Sequence, residues 1–174
     1  LTAPVARAYN QHNLGNLSPI HRFYYIGPLF RRERPQKGRQ RQFHQFGIEA
    51  FGSNFAEQDA EIIALAWHLL AHFRLTNKID LQVNSIGTSE CRAGYRDALK
   101  QFLKPHFDEL SEISKRRFNT NPLRILDSKN KKERIILRNG PRISDYYTQE
   151  DKEHFNEVKT YLKAMNIPFT INSG

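Results

Sequence analysis

Residues 25–52 read YIGPLFRRERPQKGRQRQFHQFGIEAFG. They place six basic side chains, Arg31, Arg32, Arg34, Lys37, Arg39 and Arg41, in a Pro/Gly-punctuated loop, and a segment of alternating character follows at once. If residues 43–51 form a strand, side chains two apart share a face. Phe43, Gln45, Gly47, Glu49 and Phe51 then lie on one side, and His44, Phe46, Ile48 and Ala50 on the other. The second side is mostly apolar and is expected to be core. The first puts an amide and a carboxylate around a glycine, between two aromatics. Polar groups on a central strand are costly to bury unless something pairs with them. A basic loop feeding such a strand points to a pocket for a polyanion beside a small polar ligand. The plainer alternative is a solvated hairpin, because charge runs usually sit in water.

Working outward, residues 22–26 and 29–33 read as the strand before the loop, interrupted at Gly27-Pro28, so that the whole forms an antiparallel hairpin with a long tip. Residues 2–12 suit a short helix. Ser53 or Asn54 is placed to cap the next helix, whose first turn carries Glu57, Asp59 and Glu61 near the positive end of the helix dipole. Ala60, Ile63, Ala64, Trp67, Leu70 and Ala71 recur at helical spacing and predict one buried face. Residues 79–83 read as a further strand. Thr88 is the expected cap of a helix with Cys91, Tyr95, Ala98, Leu99 and Phe102 on one side. Pro105 can start another helix, with Phe107, Leu110 and Ile113 as its apolar positions. Residues 115–138 carry nine Lys or Arg. Thr148 is the expected cap of a last helix, with Phe155, Val158, Tyr161, Leu162 and Met165 facing inward. Residues 167–171 read as a returning strand.

The 174-residue chain is long enough for one good core or two small ones. Its net charge of +9 favours a polyanionic partner such as nucleic acid or nucleotide. One cysteine excludes a disulfide framework and a cysteine zinc site, and suits a reducing cytosol. No stretch approaches the roughly 20 apolar residues of a membrane span. His44 and His68 fall in hydrophobic patterns and are expected at core or boundary positions. No two histidines show metal spacing with a carboxylate, so no zinc is expected.

The F-R-x-E of residues 30–33, the short loop with R-x-R-Q-F, and the strand H-Q-F-G-x-E resemble motif 2 of class II aminoacyl-tRNA synthetases. The wording FRRERPQKGRQRQFHQFGIEAFG is similar to that of the histidyl-tRNA synthetase family. Later segments, NSIG, CRAGYRDAL, KRRFNTNPLRILDSKN and SDYYTQEDKEHFNEVKTYL, resemble the helical insertion domain of its bacterial members. The fold this implies is α+β. Residues 1–85 would be part of the antiparallel-sheet catalytic domain, residues 86–168 the insertion domain, and residues 169–174 a strand returning to the catalytic domain.

The resemblance also implies a reaction: L-histidine is activated by ATP, with Mg2+, to an adenylate and passed to tRNA(His) in the cytoplasm by a homodimer. It implies Arg31 as the catalytic cation touching both histidine and ATP, Glu33, Arg39 and Phe43 at ATP, and Thr2, Gln45 and Glu49 at histidine. Gln45 would hold the α-amino group and Glu49 the imidazole. Lys115, Arg116 and Arg117 would touch tRNA. The sequence lacks the family's second arginine loop, motif 1 and motif 3, so this chain alone is expected not to charge tRNA. Two other readings stay open: a catalytically silent relative, such as the regulatory subunit of ATP phosphoribosyltransferase, and a plain RNA-binding module.

Overall fold

A computed structural model describes residues 2–32, 34 and 36–172, and separates the chain into two compact units, 1–74 and 75–174. In the first unit, helix α1 (Thr2–Gln11) precedes strands β1 (His21–Phe30) and β2 (Gln42–Phe51), which pair antiparallel, and helix α2 (Ala56–His72) follows. The expected break at Gly27-Pro28 is not there: β1 runs through it. The reason lies in the register. Arg31 N–H bonds the Arg41 carbonyl at 2.9 Å, which makes 31/41 a hydrogen-bonded pair. Pairs alternate along an antiparallel ladder, so Pro28, opposite His44, falls at a position whose N–H would point away from β2. No ladder bond is lost there.

Both faces of the hairpin are part-covered, and the face expected to be core is covered at one end only. His21, Phe23, Tyr25 and Leu29 of β1 lie opposite Phe51, Glu49, Gly47 and Phe43, and this face is half-buried. Tyr9 of α1 stacks on Phe51 at 4.8 Å and meets His21 edge-on at 5.5 Å. On the face expected to be core, Tyr24 and Ile26 are 79% and 78% exposed and Phe46 is 54% exposed. There Ile48 and Ala50 are half-buried, and Arg22 donates to Glu61 of α2 at 2.7 Å. Alternation gave the two sets of residues correctly but not which set is covered. His44 and His68 are exposed as well, rather than core or boundary residues. At the start of α2 the cap is Phe55, without a side-chain bond, while Ser53 Oγ accepts from Phe55 N–H at 3.2 Å. Ser53 therefore serves the turn before the helix. Ala60 and Ala64 are buried as expected, but Ala71 is exposed near the helix end.

The second unit is mainly helical. It contains strand β3 (Gln82–Val83) and helices α3 (Ser89–Leu103), α4 (Glu112–Thr120), α5 (Lys131–Leu137) and α6 (Gln149–Ala164). Strand β4 (Thr170–Ile171) pairs parallel with β3. Leu99, Leu103, Leu110 and Ile125 form a closed core, with Phe102, Phe107 and Phe118 packed against it. The segment at Pro105 is a 3-10 turn (Lys104–Glu109) rather than an α-helix. The helix begins at Ser111, whose hydroxyl accepts from Ser114 N–H, and Ile113 ends 61% exposed rather than inward. Thr88 and Thr148 cap α3 and α6 as their positions predict. Phe155, Val158 and Leu162 are buried, and Met165 is not.

Two carboxylates hold these helices. Asp151 accepts from Thr148 N–H (2.9 Å) at its own helix start and from Thr88 N–H (2.6 Å) at the start of α3, so one side chain satisfies orphan donors of two helices. Glu133 of α5 is fully buried and accepts from Ser111 N–H (2.7 Å), Ser114 Oγ (3.0 Å) and Ser128 Oγ. Burial pushes both carboxyls up, and the hydrogen bonds outweigh it, leaving each below its usual range.

The expected strand at 167–171 is shorter because its first residue belongs to the preceding helix. Asn166 adopts φ +55°, its N–H bonds Lys163 O, and Ile167 N–H bonds Leu162 O at 3.0 Å. This is a left-handed helix cap of the Schellman type, with Ile167 and Leu162 buried as its apolar contact.

Candidate functional site

The loop between β1 and β2 is closed by Gln36 and Arg39, which exchange backbone hydrogen bonds of 3.3 and 2.8 Å around Lys37-Gly38. Gly38 sits at φ +78°, a conformation that favours glycine. Under this turn is a cavity of about 240 Å3 lined by Arg31, Gly38, Arg39, Gln40 and Phe43. Arg31 stands one residue beyond β1 with its backbone still on the ladder, and its guanidinium lies 4.4 Å from the centre of the Phe43 ring. An arginine resting on an aromatic face keeps its planar fork oriented.

Three of the residues singled out from the sequence, Arg31, Arg39 and Phe43, therefore line one cavity. Gln45 and Glu49 continue the same face of β2 and are half-buried, four residues and so about 13 Å apart. Thr2 opens α1 and is exposed; the contact that ties α1 to the hairpin is Tyr9, near Phe51 and His21. Glu33 lies outside the described residues. Lys115, Arg116 and Arg117 occupy α4 of the second unit and divide by partner. Lys115 bonds Glu112 at 3.2 Å, Arg117 donates to the Arg124 carbonyl at 2.9 Å, and Arg116 is exposed.

Sequence reasoning missed Tyr25. It faces Gly47 across the hairpin, its hydroxyl accepts from Gln45 Nε2 at 3.4 Å, and a Cβ on Gly47 would overlap its ring. Gly47 is thus the gap that lets Tyr25 lie across β2 and brace Gln45. The register would have disclosed the pair, but the expected break at Gly27-Pro28 hid it. Gln40 was missed too, because loop residues carry no periodicity.

Among the described residues no group of three or more His, Cys, Asp or Glu is arranged to hold a metal ion, and no helix is long and apolar enough to cross a membrane.

The family model described as histidyl-tRNA synthetase matches residues 1–173. A histidine–tRNA ligase of Latilactobacillus sakei is 48% identical over 99% of the chain, and one of Chloroherpeton thalassium 49% identical over 99%. A crystal structure of apo S. aureus histidyl-tRNA synthetase superposes with a TM-score of 0.79 at 33% identity, over 99% of this chain. The chain spans about 40% of the length of each of these relatives. The α+β architecture, a hairpin with its flanking helices followed by a helical unit, is that of the matching part of the S. aureus enzyme. This chain belongs to the histidyl-tRNA synthetase family.

Proposed function

We propose that the chain is the segment of a histidine–tRNA ligase in which ATP and L-histidine are joined and the tRNA acceptor is met. The observation that carries this is the gathering of Arg31, Arg39 and Phe43 around one cavity, with Gln45 and Glu49 on the same strand face. In the first step a histidine carboxylate oxygen attacks the α-phosphorus of ATP. The bond from that phosphorus to the β-phosphate oxygen breaks, and pyrophosphate leaves. In the second, a terminal ribose hydroxyl of tRNA(His) attacks the histidyl carbonyl and AMP leaves.

The first step brings two anions together, so a fixed cation is needed where charge accumulates. Arg31 has the fork to bridge carboxylate and phosphate, and a ladder-bound backbone to aim it. Arg39, which lines the same cavity, takes the far phosphates, and Phe43 offers a ring face to adenine. Magnesium enters with ATP as its counter-ion. Gln45, braced by Tyr25, takes the α-amino group, and Glu49 accepts from the imidazole. Thr2 and Glu33 complete the histidine and ATP sets by family resemblance. On this reading residues 1–85 and 169–174 serve the catalytic domain and residues 86–168 the insertion domain, within a cytoplasmic homodimer at full length.

Substrate choice tests the reading. An amide is a poorer acceptor for the imidazole N–H than a carboxylate. In the full-length protein, Glu49→Gln is therefore expected to weaken histidine binding by about tenfold or more, the cost of one charge-assisted hydrogen bond, and to leave ATP affinity within a factor of about two. Calorimetric titration with each ligand measures this. Equal losses for both would remove Glu49 from the histidine site.

The basic helix α4 is read as a phosphate-contacting surface. Each phosphate contact adds about −0.7 to −0.9 to the slope of log K against log salt. Because Arg117 also ties α4 to the turn after it, the cleaner variant is Lys115→Ala with Arg116→Ala. It is expected to flatten the salt slope of tRNA binding by about 1.4 to 1.8 and to raise the tRNA KM. An unchanged slope and KM, with the fold intact by circular dichroism, would leave α4 a solvated surface.

A further inference from the structure

The second unit carries a larger cavity, about 580 Å3 and open to solvent, lined by none of the residues assigned above. Arg92 comes to it from α3, Arg134 and Arg138 from α5 and its C-cap, and Arg142 from the start of the next turn. Among the described residues, no Asp or Glu lines it, and none of the four arginines is ion-paired with a carboxylate. Arg92 gives one N–H to the Gly87 carbonyl, which fixes its stem and leaves further donors on the guanidinium. Arg134 and Arg138 are four apart and so share a helix face, where like charges repel. Ile86 and Leu126, 69% and 41% exposed, supply an apolar wall beside them together with Leu137.

Four unneutralised guanidinium groups around one concavity call for an anion, and arginine's fork matches phosphate oxygens two at a time. The adjoining apolar wall calls for a flat, weakly polar body attached to that anion. The volume lies within the roughly 300–1,000 Å3 of small-molecule sites, more than an isolated phosphate needs. We propose that this cavity is a nucleotide site, with the phosphate held by Arg92, Arg134, Arg138 and Arg142 and the base laid against Ile86, Leu126 and Leu137. The same chemistry is offered by a free mononucleotide and by an unpaired nucleotide of a bound RNA; only the second source rests on reading this unit as an RNA-contacting surface.

The test is a titration of the isotope-labelled 174-residue chain by NMR with AMP, with adenosine, and with an unstructured five-nucleotide RNA. AMP is expected to shift the backbone resonances of Arg92, Tyr95 and Arg142 saturably, with adenosine at least tenfold weaker for want of the phosphate. Arg134→Glu with Arg138→Glu is expected to abolish these shifts. Should that variant lose helicity, Arg138→Gln, at an exposed helix end, is expected to weaken AMP at least threefold with the fold unchanged. A pentamer binding at least tenfold tighter than AMP identifies an RNA nucleotide as the occupant; one no tighter identifies the free nucleotide. The proposal is overturned if neither ligand shifts these resonances, or if adenosine matches AMP, or if the shifts survive unchanged in both folded variants. Shifts at Phe43 report the first unit separately, and their presence or absence leaves this proposal standing.

Discussion

Arg31→Ala in the full-length protein is expected to lower the rate of histidine-dependent adenylate formation by about 10²-fold or more, the scale on which removing one preorganised electrostatic stabiliser acts. Arg31 is the first residue past β1, and its N–H still bonds Arg41 across the hairpin. Its guanidinium rests 4.4 Å from the Phe43 ring centre, at the wall of the loop cavity. Its backbone is thus anchored and its guanidinium stacked before any substrate arrives. Arg31→Lys is expected to recover only part of the loss, because an ammonium is a point charge that cannot bridge two oxygens in a plane or stack on the ring in the same way. Rapid-quench measurement of adenylate separates this from binding. The loss should fall on the chemical step, with ATP affinity changed far less. Normal adenylate formation by Arg31→Lys would show that the fork is not what the step uses.

The second large effect is on stability. Glu133→Gln is expected to destabilise the helical unit by about 2 kcal/mol or more, because an amide turns an N–H toward Ser111 N–H, Ser114 Oγ or Ser128 Oγ and strands a buried donor. For a domain of this size that lowers Tm by on the order of 10 °C. The pH dependence carries a sign that a mere packing role would not. Burial pushes the Glu133 carboxyl up, and the bonds from Ser128, Ser111 and Ser114 more than offset it, so its folded pKa lies below its unfolded one. A depressed carboxyl contributes stability that is fully present above the unfolded pKa, about 4.3, and is lost as pH falls through the lower folded value. The Tm of the natural chain should therefore be flat near neutrality and fall below about pH 4. The gap between it and Glu133→Gln should narrow over the same range. A gap constant down to pH 2 would mean that shape, not charge, is what the site needs. Asp151, held low by Thr148 and Thr88 against its own burial, keeps a similar acid sensitivity in the variant.

Much of this architecture was legible from local chemistry. Thr88 and Thr148 announce helix starts because a hydroxyl before a helical run has one evident use, satisfying orphan N–H groups. The alternation in β2 sorted Gln45 and Glu49 onto one face because the period of a strand admits no other arrangement. What local pattern does not carry is which face is covered. Phe46 and Ile48 look more like core than Gln45 and Glu49, yet Tyr9 from α1 lies across the other side. That outcome depends on a contact between residues 42 apart in sequence. Pro28 misled for a related reason. Its missing N–H matters only if it faces the partner strand, and facing is set by register. Glu133 stands in a basic run and gives no local signal, since a buried carboxylate is recognisable only once Ser111, Ser114 and Ser128 are seen to converge on it. In the candidate site the loop cavity was foreshadowed by the basic tip, whereas Tyr25 needed the pairing with Gly47 to be known.

The most direct test of the central claim is amino-acid-dependent ATP–pyrophosphate exchange by the full-length protein, run with each of the twenty amino acids in turn. Exchange with L-histidine, and none above background with the others, is the result this account predicts. Absence of exchange with L-histidine, under conditions where the protein is folded and binds ATP, would contradict it.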